Sequence, residues 1–291
     1  MAAVTTARTE PILIDDPDDC RVAVFANLKD SKAKSREGMF IAEGPETIRL
    51  LLHNALEIVP QIVLLKPTVY ERLKEDIEKC KHSPQVFLMS PKVMAKLVCF
   101  ASCRGSLASG FRPLHLTFQF CLEKILLPKK AKGWRILAID GSNNTANVGS
   151  MIRSASAFGI DLIILSHDCC DPYYRQSVRV SVGHIFNVPV VKVEDLKNVL
   201  SMLIEEHAVQ VFAAVIDKEA SLLRKALRKP VSNRWVVILG NEDKGISQPI
   251  ASDDRIIKTR IDMADGVDSL SINNACAIFL FALVASVSSD S

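Results

Sequence analysis

The sequence predicts an α/β protein of two domains, the larger built on a doubly wound parallel sheet. Three observations carry this. Apolar, strand-like segments at Ile136–Asp140, Leu162–Leu165, Val188–Val193, Val209–Val215, Trp235–Leu239 and Arg255–Ile261 alternate with helix-like stretches, the pattern of strands covered on both faces. Small residues and prolines (Ser106, Ser109, Gly110, Pro113, Pro128, Gly133) interrupt the chain ahead of that region. At 291 residues and 48% hydrophobic content, the chain exceeds the usual single-domain size and can bury two cores.

In chain order, residues 1–19 read as a disordered tail containing Asp15, Asp16, Asp18 and Asp19. Residues 20–108 form a smaller α/β domain: a helix from Glu46 to Leu56 after Gly44-Pro45, a strand at Gln61–Leu65, a helix at Thr68–Lys79, a strand at Gln85–Met89 and a short helix at Pro91–Val98. Residues 109–134 read as a linker, within which Leu114–Leu127 suits either a strand or a short helix. Residues 135–291 hold the parallel sheet, and the apolar run Ala275–Val287 is its closing helix.

The net charge of +3 neither demands nor excludes a nucleic-acid partner. Basic residues do cluster locally, at Lys29, Lys32, Lys34 and Arg36 and at Lys129, Lys130 and Lys132. Eight cysteines without a secretory signal imply free thiols in a reducing compartment, and no spacing among them matches a metal site, so no metal is expected. The apolar run 275–287 is shorter than the roughly 20 residues that span a bilayer. A small, Thr-rich amino terminus followed at once by acids favours a cytoplasmic or nuclear address, with an organelle as the alternative.

The most informative segment is Asn147-Val-Gly-Ser-Met-Ile-Arg153-Ser-Ala-Ser-Ala-Phe-Gly159, which follows the strand Ile136–Asp140 and the polar turn Gly141–Thr145. Val148, Met151, Ile152, Ala155 and Phe158 recur at helical spacing, and the reading places Asn147 and Arg153 close together at the strand mouth, where open α/β sheets bind ligands. Two further segments have the same character. Val236–Ser247 is a buried strand breaking into a turn with Gly240, Glu242 and Gly245; Ile261–Ile278 is a strand end, a loop and a helix start. A dehydrogenase is disfavoured, because no G-x-G-x-x-G follows the first strand.

In order and spacing, these three segments resemble the SpoU (TrmH-like) RNA ribose methyltransferases of the SPOUT class, and Arg36-Glu-Gly-Met-Phe-Ile-Ala-Glu43-Gly44 is similar to the entry of that family's substrate-binding domain. The resemblance implies a trefoil-knotted parallel-sheet methyltransferase domain behind a smaller amino-terminal α/β RNA substrate-binding domain. It also implies a homodimer that uses S-adenosylmethionine to methylate a ribose 2′-hydroxyl in tRNA or rRNA, each site completed by the partner. Arg153, Asn147, Glu242 and Ser269 fall where the family has its catalytic residues. Leu239, Gly240, Gly245, Ile261, Met263, Leu270 and Ser271 fall in the methyl-donor pocket; Lys34, Arg36 and Arg175 are candidate RNA contacts, with Tyr173 and Tyr174 on the same exposed-looking loop. Arginine is a poor proton acceptor, so Arg153 either orients the ribose hydroxyl and its phosphate or acts as a base after strong perturbation.

By the residues alone, blander readings stand beside these. Arg153 could be a surface helix arginine, Asn147 a helix cap, Glu242 a solvated turn residue and the apolar set plain core. Two positions depart from the family: Ser271 stands where it has Asn, and Asp243 where it has Gly. They keep a second reading open, a catalytically weakened RNA-binding protein on a methyltransferase scaffold. For the dimer, the closing helix is the expected contact, with Phe279 placed in the interface.

Overall fold

A computed structural model of the chain describes residues 10–28, 38–99 and 105–287, and these form two compact units. The first unit comprises the described residues up to Leu114 together with Tyr173–Asn187. Its elements are β1 (Ile12–Ile14), a 3-10 turn at Cys20–Phe25, β2 (Met39–Glu43), α1 (Pro45–Leu52), β3 (Pro60–Leu65), α2 (Pro67–Lys79), β4 (Gln85–Met89), α3 (Pro91–Val98) and β5 (Ser106–Phe111). The sheet order is β1-β4-β3-β5-β2, with β1, β4 and β3 parallel and β5 antiparallel to both β3 and β2.

The expected tail therefore ends early. Ile12–Ile14 pairs with β4, and Ile14, Val22, Phe25 and Leu28 enter a core with Phe87, Met94, Leu97 and Leu107. A three-residue edge strand between Pro11 and Asp15 has too little pattern to stand out from an acidic tail. β5 likewise lies partly inside the expected linker, because Ser109 and Gly110 read as turn residues although the strand is buried on both sides by β3 and β2.

The second unit begins with α4 (Phe118–Cys121), which runs through a π-helical turn at Leu122–Leu126 and a 3-10 turn at Leu127–Lys129 into β6 (Trp134–Ile139). This stretch was expected to be a linker. Instead Cys121, Leu122 and Leu126 are buried in the main core, and the Trp134 indole N–H donates to the Leu126 carbonyl at 2.5 Å. Pro128 lies inside the 3-10 turn and Gly133, at φ +95°, leads the chain into β6, so both shape a packed segment, not a flexible joint.

From β6 the chain continues through α5 (Thr145–Ala157) and β7 (Leu162–Ser166), then α6 (Arg175–Val180), which belongs to the first unit. It returns as β8 (Val190–Val193), α7 (Leu196–His207), β9 (Gln210–Ala214), β10 (Ser221–Leu222), α8 (Leu223–Ala226), β11 (Arg234–Leu239), α9 (Gln248–Ala251), β12 (Ile257–Arg260) and α10 (Ile272–Val287). All seven strands are parallel, in the order β10-β12-β9-β11-β6-β7-β8. Leu162, Ile164, Val236 and Ile238 meet Leu196, Leu200 and Leu203 of α7 across one face, while α10 covers α5 and β11. The order of strands reverses between β6 and β11, so their carboxyl ends open onto the crevice where such sheets bind ligands. Among the described residues no helix is long and apolar enough to cross a membrane.

Candidate active site

Two turns meet at that crevice. After β6, Asn144 caps α5 by accepting the N–H groups of Ala146 (2.9 Å) and Asn147 (3.3 Å), which fixes where the helix begins. After β11, Asn241 and Gly245 exchange two backbone hydrogen bonds of 2.9 Å, closing a tight turn. The Asn241 side chain builds this turn: its carbonyl oxygen accepts the N–H groups of Asp243 (2.9 Å) and Lys244 (3.1 Å), and its amide donates to the Gly141 carbonyl at 2.6 Å. Asp140, buried at the end of β6, accepts the N–H of Ser247 at 2.7 Å. The two turns are thus stapled in both directions. Sequence reasoning passed over Asn241 and Asp140, although Asn four residues before Gly at a strand end is an Asx-turn signal.

The two glycines of the β11 turn serve different needs. Gly245 has φ +70° with open space around it, so the position demands the left-handed backbone. Gly240 is not left-handed; a Cβ there would lie 2.3 Å from the Gly245 carbonyl carbon and 2.4 Å from the Ile246 nitrogen. Asp243 also has an ordinary negative φ, so the family's glycine at this place is not required for the turn's shape.

This turn is the common wall of two recesses. On one side lies a cleft of about 710 Å³, bounded by the segment after β9, the turn itself, Ile261, Met263 and the start of α10. Leu239, Gly240, Gly245, Ile261, Met263, Ser269, Leu270 and Ser271 all line it. So do Val215, Ile216 and Asp217, and Phe279 of α10, none of which the sequence reading placed here. On the other side is a more open polar groove of about 620 Å³ formed by Asn143, Asn144, Thr145 and Asn147 with residues 241–244. Glu242 borders both. A cleft of this size, lined by Leu239, Ile261, Met263 and Leu270 and bounded by the backbone of a glycine-bearing turn, suits the adenosyl part of a methyl donor.

Between the recesses runs a chain of side chains. The Asn147 amide donates to the Glu242 carboxylate, and its carbonyl oxygen accepts from the Asn273 amide at 2.9 Å. Asn147 therefore joins three segments, where a helix cap had been the blander reading; the cap is Asn144. Ser271 instead caps α10, its hydroxyl accepting the Asn274 N–H at 3.4 Å and its carbonyl the Ala275 N–H at 3.0 Å.

Arg153 is not in this cluster. It is exposed, lines neither recess, and has no hydrogen bond or ion pair among the described residues. The expectation that it neighbours Asn147 fails on helical geometry: six residues along α5 amount to about 9 Å of rise and a third of a turn of rotation, unlike the i, i+3 and i, i+4 pairs that share a face.

Of the candidate RNA contacts, Lys34 and Arg36 lie outside the described residues. Arg175 is drawn into the first unit, donating to buried Glu43 and to the Leu28 carbonyl at 3.0 Å each. Tyr173, expected on an exposed loop, is 6% exposed and packs its ring 5.9 Å from that of Phe40. Both residues read as loop in sequence because their partners are more than a hundred positions away. Among the described residues no group of His, Cys, Asp and Glu could hold a metal ion. Burial pushes the Cys276 thiol up to about 12 and that of Cys121 to about 11, which leaves neither as a thiolate nucleophile near neutral pH.

Comparison with known proteins agrees with this architecture. The SpoU rRNA Methylase family model matches residues 135–281, just over half of the chain. An uncharacterized tRNA/rRNA methyltransferase of Mycobacterium tuberculosis is 28% identical over 273 residues, covering 91% of this chain and 89% of that protein. A 23S rRNA guanosine 2′-O-methyltransferase of Bacillus subtilis is 27% identical over 272 residues, covering 93% and 98%. In fold, the chain is similar to an AdoMet-bound rRNA methyltransferase from Sinorhizobium meliloti, with a TM-score of 0.74 at 21% identity over 95% of this chain and 98% of the other. With its parallel sheet, stapled turns and twin recesses, this chain belongs to the SpoU rRNA methylase family of RNA methyltransferases.

Proposed function

We propose that the protein methylates a ribose 2′-hydroxyl in tRNA or rRNA with S-adenosylmethionine as donor. The observation that carries the reading is the Gly240–Gly245 turn standing between an apolar cleft and a polar groove, with Glu242 on both sides and bonded to Asn147. A two-substrate transfer needs two adjoining recesses, one for each substrate, whose reacting atoms come into direct contact at the shared edge that Glu242 borders. The donor supplies a methyl group already activated on a sulfonium. Leu239, Ile261, Met263 and Leu270 would hold the adenine by apolar contact, and the backbone of the Gly240–Gly245 turn would border it. The Glu242–Asn147–Asn273 chain keeps the shared wall in one arrangement, and Arg153 orients the acceptor hydroxyl and its phosphate.

Since Arg153 reaches neither recess of its own chain, this role calls for a homodimer in which it serves the partner's site. The surface of α10 supports one: the helix has no charged residue, and Ile278 (38% exposed) and Phe281 (63% exposed) lie outward, Phe281 with its ring 6.3 Å from that of Phe158 on α5. Phe279, assigned to the interface from sequence, is 1% exposed and lines the donor cleft, so it cannot report on dimerisation. Phe281→Glu is expected to give monomers that stay folded and lose activity; sedimentation of a fully active monomer would exclude the arrangement. The family's trefoil knot belongs to the same reading. Its support here is that β11 inserts between β6 and β9, after which the chain returns to lay α10 over α5.

The weakened-scaffold alternative rested on Ser271 and Asp243. Against it stand the ordinary backbone at Asp243 and the amide of Asn273, which sits two residues beyond Ser271 and bonds Asn147. Asn273→Ala is therefore expected to lower turnover about tenfold or more, whereas Ser271→Ala costs about 1 kcal/mol of stability through the lost cap and little turnover. Steady-state kinetics alongside thermal melting separates the two. The reading as a whole is tested by incubating the purified protein with labelled S-adenosylmethionine and unfractionated tRNA or rRNA. Label recovered in alkali-resistant dinucleotides supports it, and label recovered on bases would overturn it.

A further inference from the structure

The first unit contains a recess of about 470 Å³ that the methyl-transfer chemistry does not use. It lies where α1 and α2 begin. Gly44 and Lys66 occupy their N-cap positions, neither helix has a side-chain cap, and proline follows in each at Pro45 and Pro67. With Val69 and Ile48 already donating to the Lys66 and Gly44 carbonyls, the N–H groups of Glu46, Thr47 and Thr68 are left for another acceptor, and both positive dipole ends lie at one place.

Helix ends alone do not make a site, and two other features define this one. Thr47 is 3% exposed and lines the recess, yet its hydroxyl has no hydrogen-bond partner among the described residues. Lys66, Arg72 and Arg179 also line it. Two carboxylates share the recess: Glu43 is paired with Arg175 at 3.0 Å, and Glu46 with Arg49, an arginine that Asp76 also holds at 3.0 Å. Arg72 stands 3.7 Å from Glu46, while Lys66 and Arg179 have no ion pair among the described residues. Unpaired cations, free helix amides and an unused hydroxyl form a donor set without an acceptor.

We propose that this recess binds a phosphate of the RNA backbone and anchors the substrate on the first unit. The inference rests on the reading of RNA as substrate. Such a contact positions the nucleic acid without reading its sequence, and it adds to the salt dependence of binding. Inorganic phosphate shares the chemistry, so the test has an arm for each source.

In the full-length protein, inorganic phosphate should shift the backbone amide resonances of Thr47 and Thr68, and Arg179→Glu should remove those shifts. In the second arm, Arg179→Glu should weaken binding of labelled unfractionated tRNA and fragmented rRNA about tenfold. It should also lower the slope of log affinity against log salt by about 1, with S-adenosylmethionine affinity unchanged. Thr47→Val, nearly isosteric, should give a smaller loss in the same direction. Amide shifts with phosphate but unaltered RNA affinity and slope in Arg179→Glu would overturn the RNA assignment in favour of a free-phosphate site. If the wild-type protein binds neither RNA, the substrate reading fails separately, and the phosphate arm then decides the recess: shifts at Thr47 and Thr68 uphold an anion site, and their absence overturns it.

Discussion

Gly240→Val is expected to abolish S-adenosylmethionine binding while the second unit remains folded. The reason is local. A Cβ at this position meets the backbone of Gly245 at 2.3 Å and of Ile246 at 2.4 Å, and no rotamer can relieve contacts made by the Cβ itself. The turn must therefore open, breaking the paired Asn241–Gly245 hydrogen bonds and moving the wall that both recesses share. The strain falls on an exposed turn beyond the end of β11, so the stability loss should resemble that of other overpacked sites, about 1–3 kcal/mol. Gly245→Ala provides the contrast. It meets no atom within 4 Å and is penalised only for its φ of +70°, by about 1–2 kcal/mol, so donor affinity should weaken without vanishing. Calorimetric titration of both variants with the donor distinguishes loss of space from loss of conformation. Wild-type affinity in Gly240→Val would remove the turn from the donor site.

The second unit was far more legible in sequence than the first, for a physical reason. A strand buried on both faces must be apolar throughout, so β6, β7, β9 and β11 announce themselves as runs such as Trp134–Ile139 and Arg234–Leu239. β1, β2 and β5 carry no such mark: one has three residues, one ends in buried Glu43, and one contains Ser106, Ser109 and Gly110. Nor does local pattern show which unit a segment joins. Arg175–Val180 sits between two strands of the parallel sheet, yet its Arg175 bonds Glu43 and Leu28 of the first unit.

The site was legible to the extent that its residues are consecutive. Glycines in a strand-end turn and an apolar set after β12 can be read locally. The bond from Asn147 to Glu242 spans ninety-five positions and that from Asn147 to Asn273 more than a hundred, so neither has a local signature. The separation of Arg153 from Asn147, by contrast, is legible in the sequence, since it follows from counting residues along α5.

Arg153→Ala should leave donor affinity intact and reduce turnover on RNA by on the order of 100-fold or more, as loss of a group that orients the reacting hydroxyl does. The first half follows from position: Arg153 does not line the donor cleft and, among the described residues, bonds none of those around it. The second half requires the arginine to act on a neighbouring chain, and this can be tested without a structure of the dimer. Arg153→Ala and Glu242→Gln chains are each expected to be nearly inactive. Mixed in equal amounts and allowed to exchange, half of their dimers are hybrids, and each hybrid pairs one intact Glu242 with the opposite chain's intact Arg153. If each site uses the partner's arginine, about a quarter of wild-type activity should return. If the arginine served its own chain, every site in the mixture would lack one residue or the other and no activity would return. An inert mixture of chains shown to exchange would therefore place Arg153 outside a shared site.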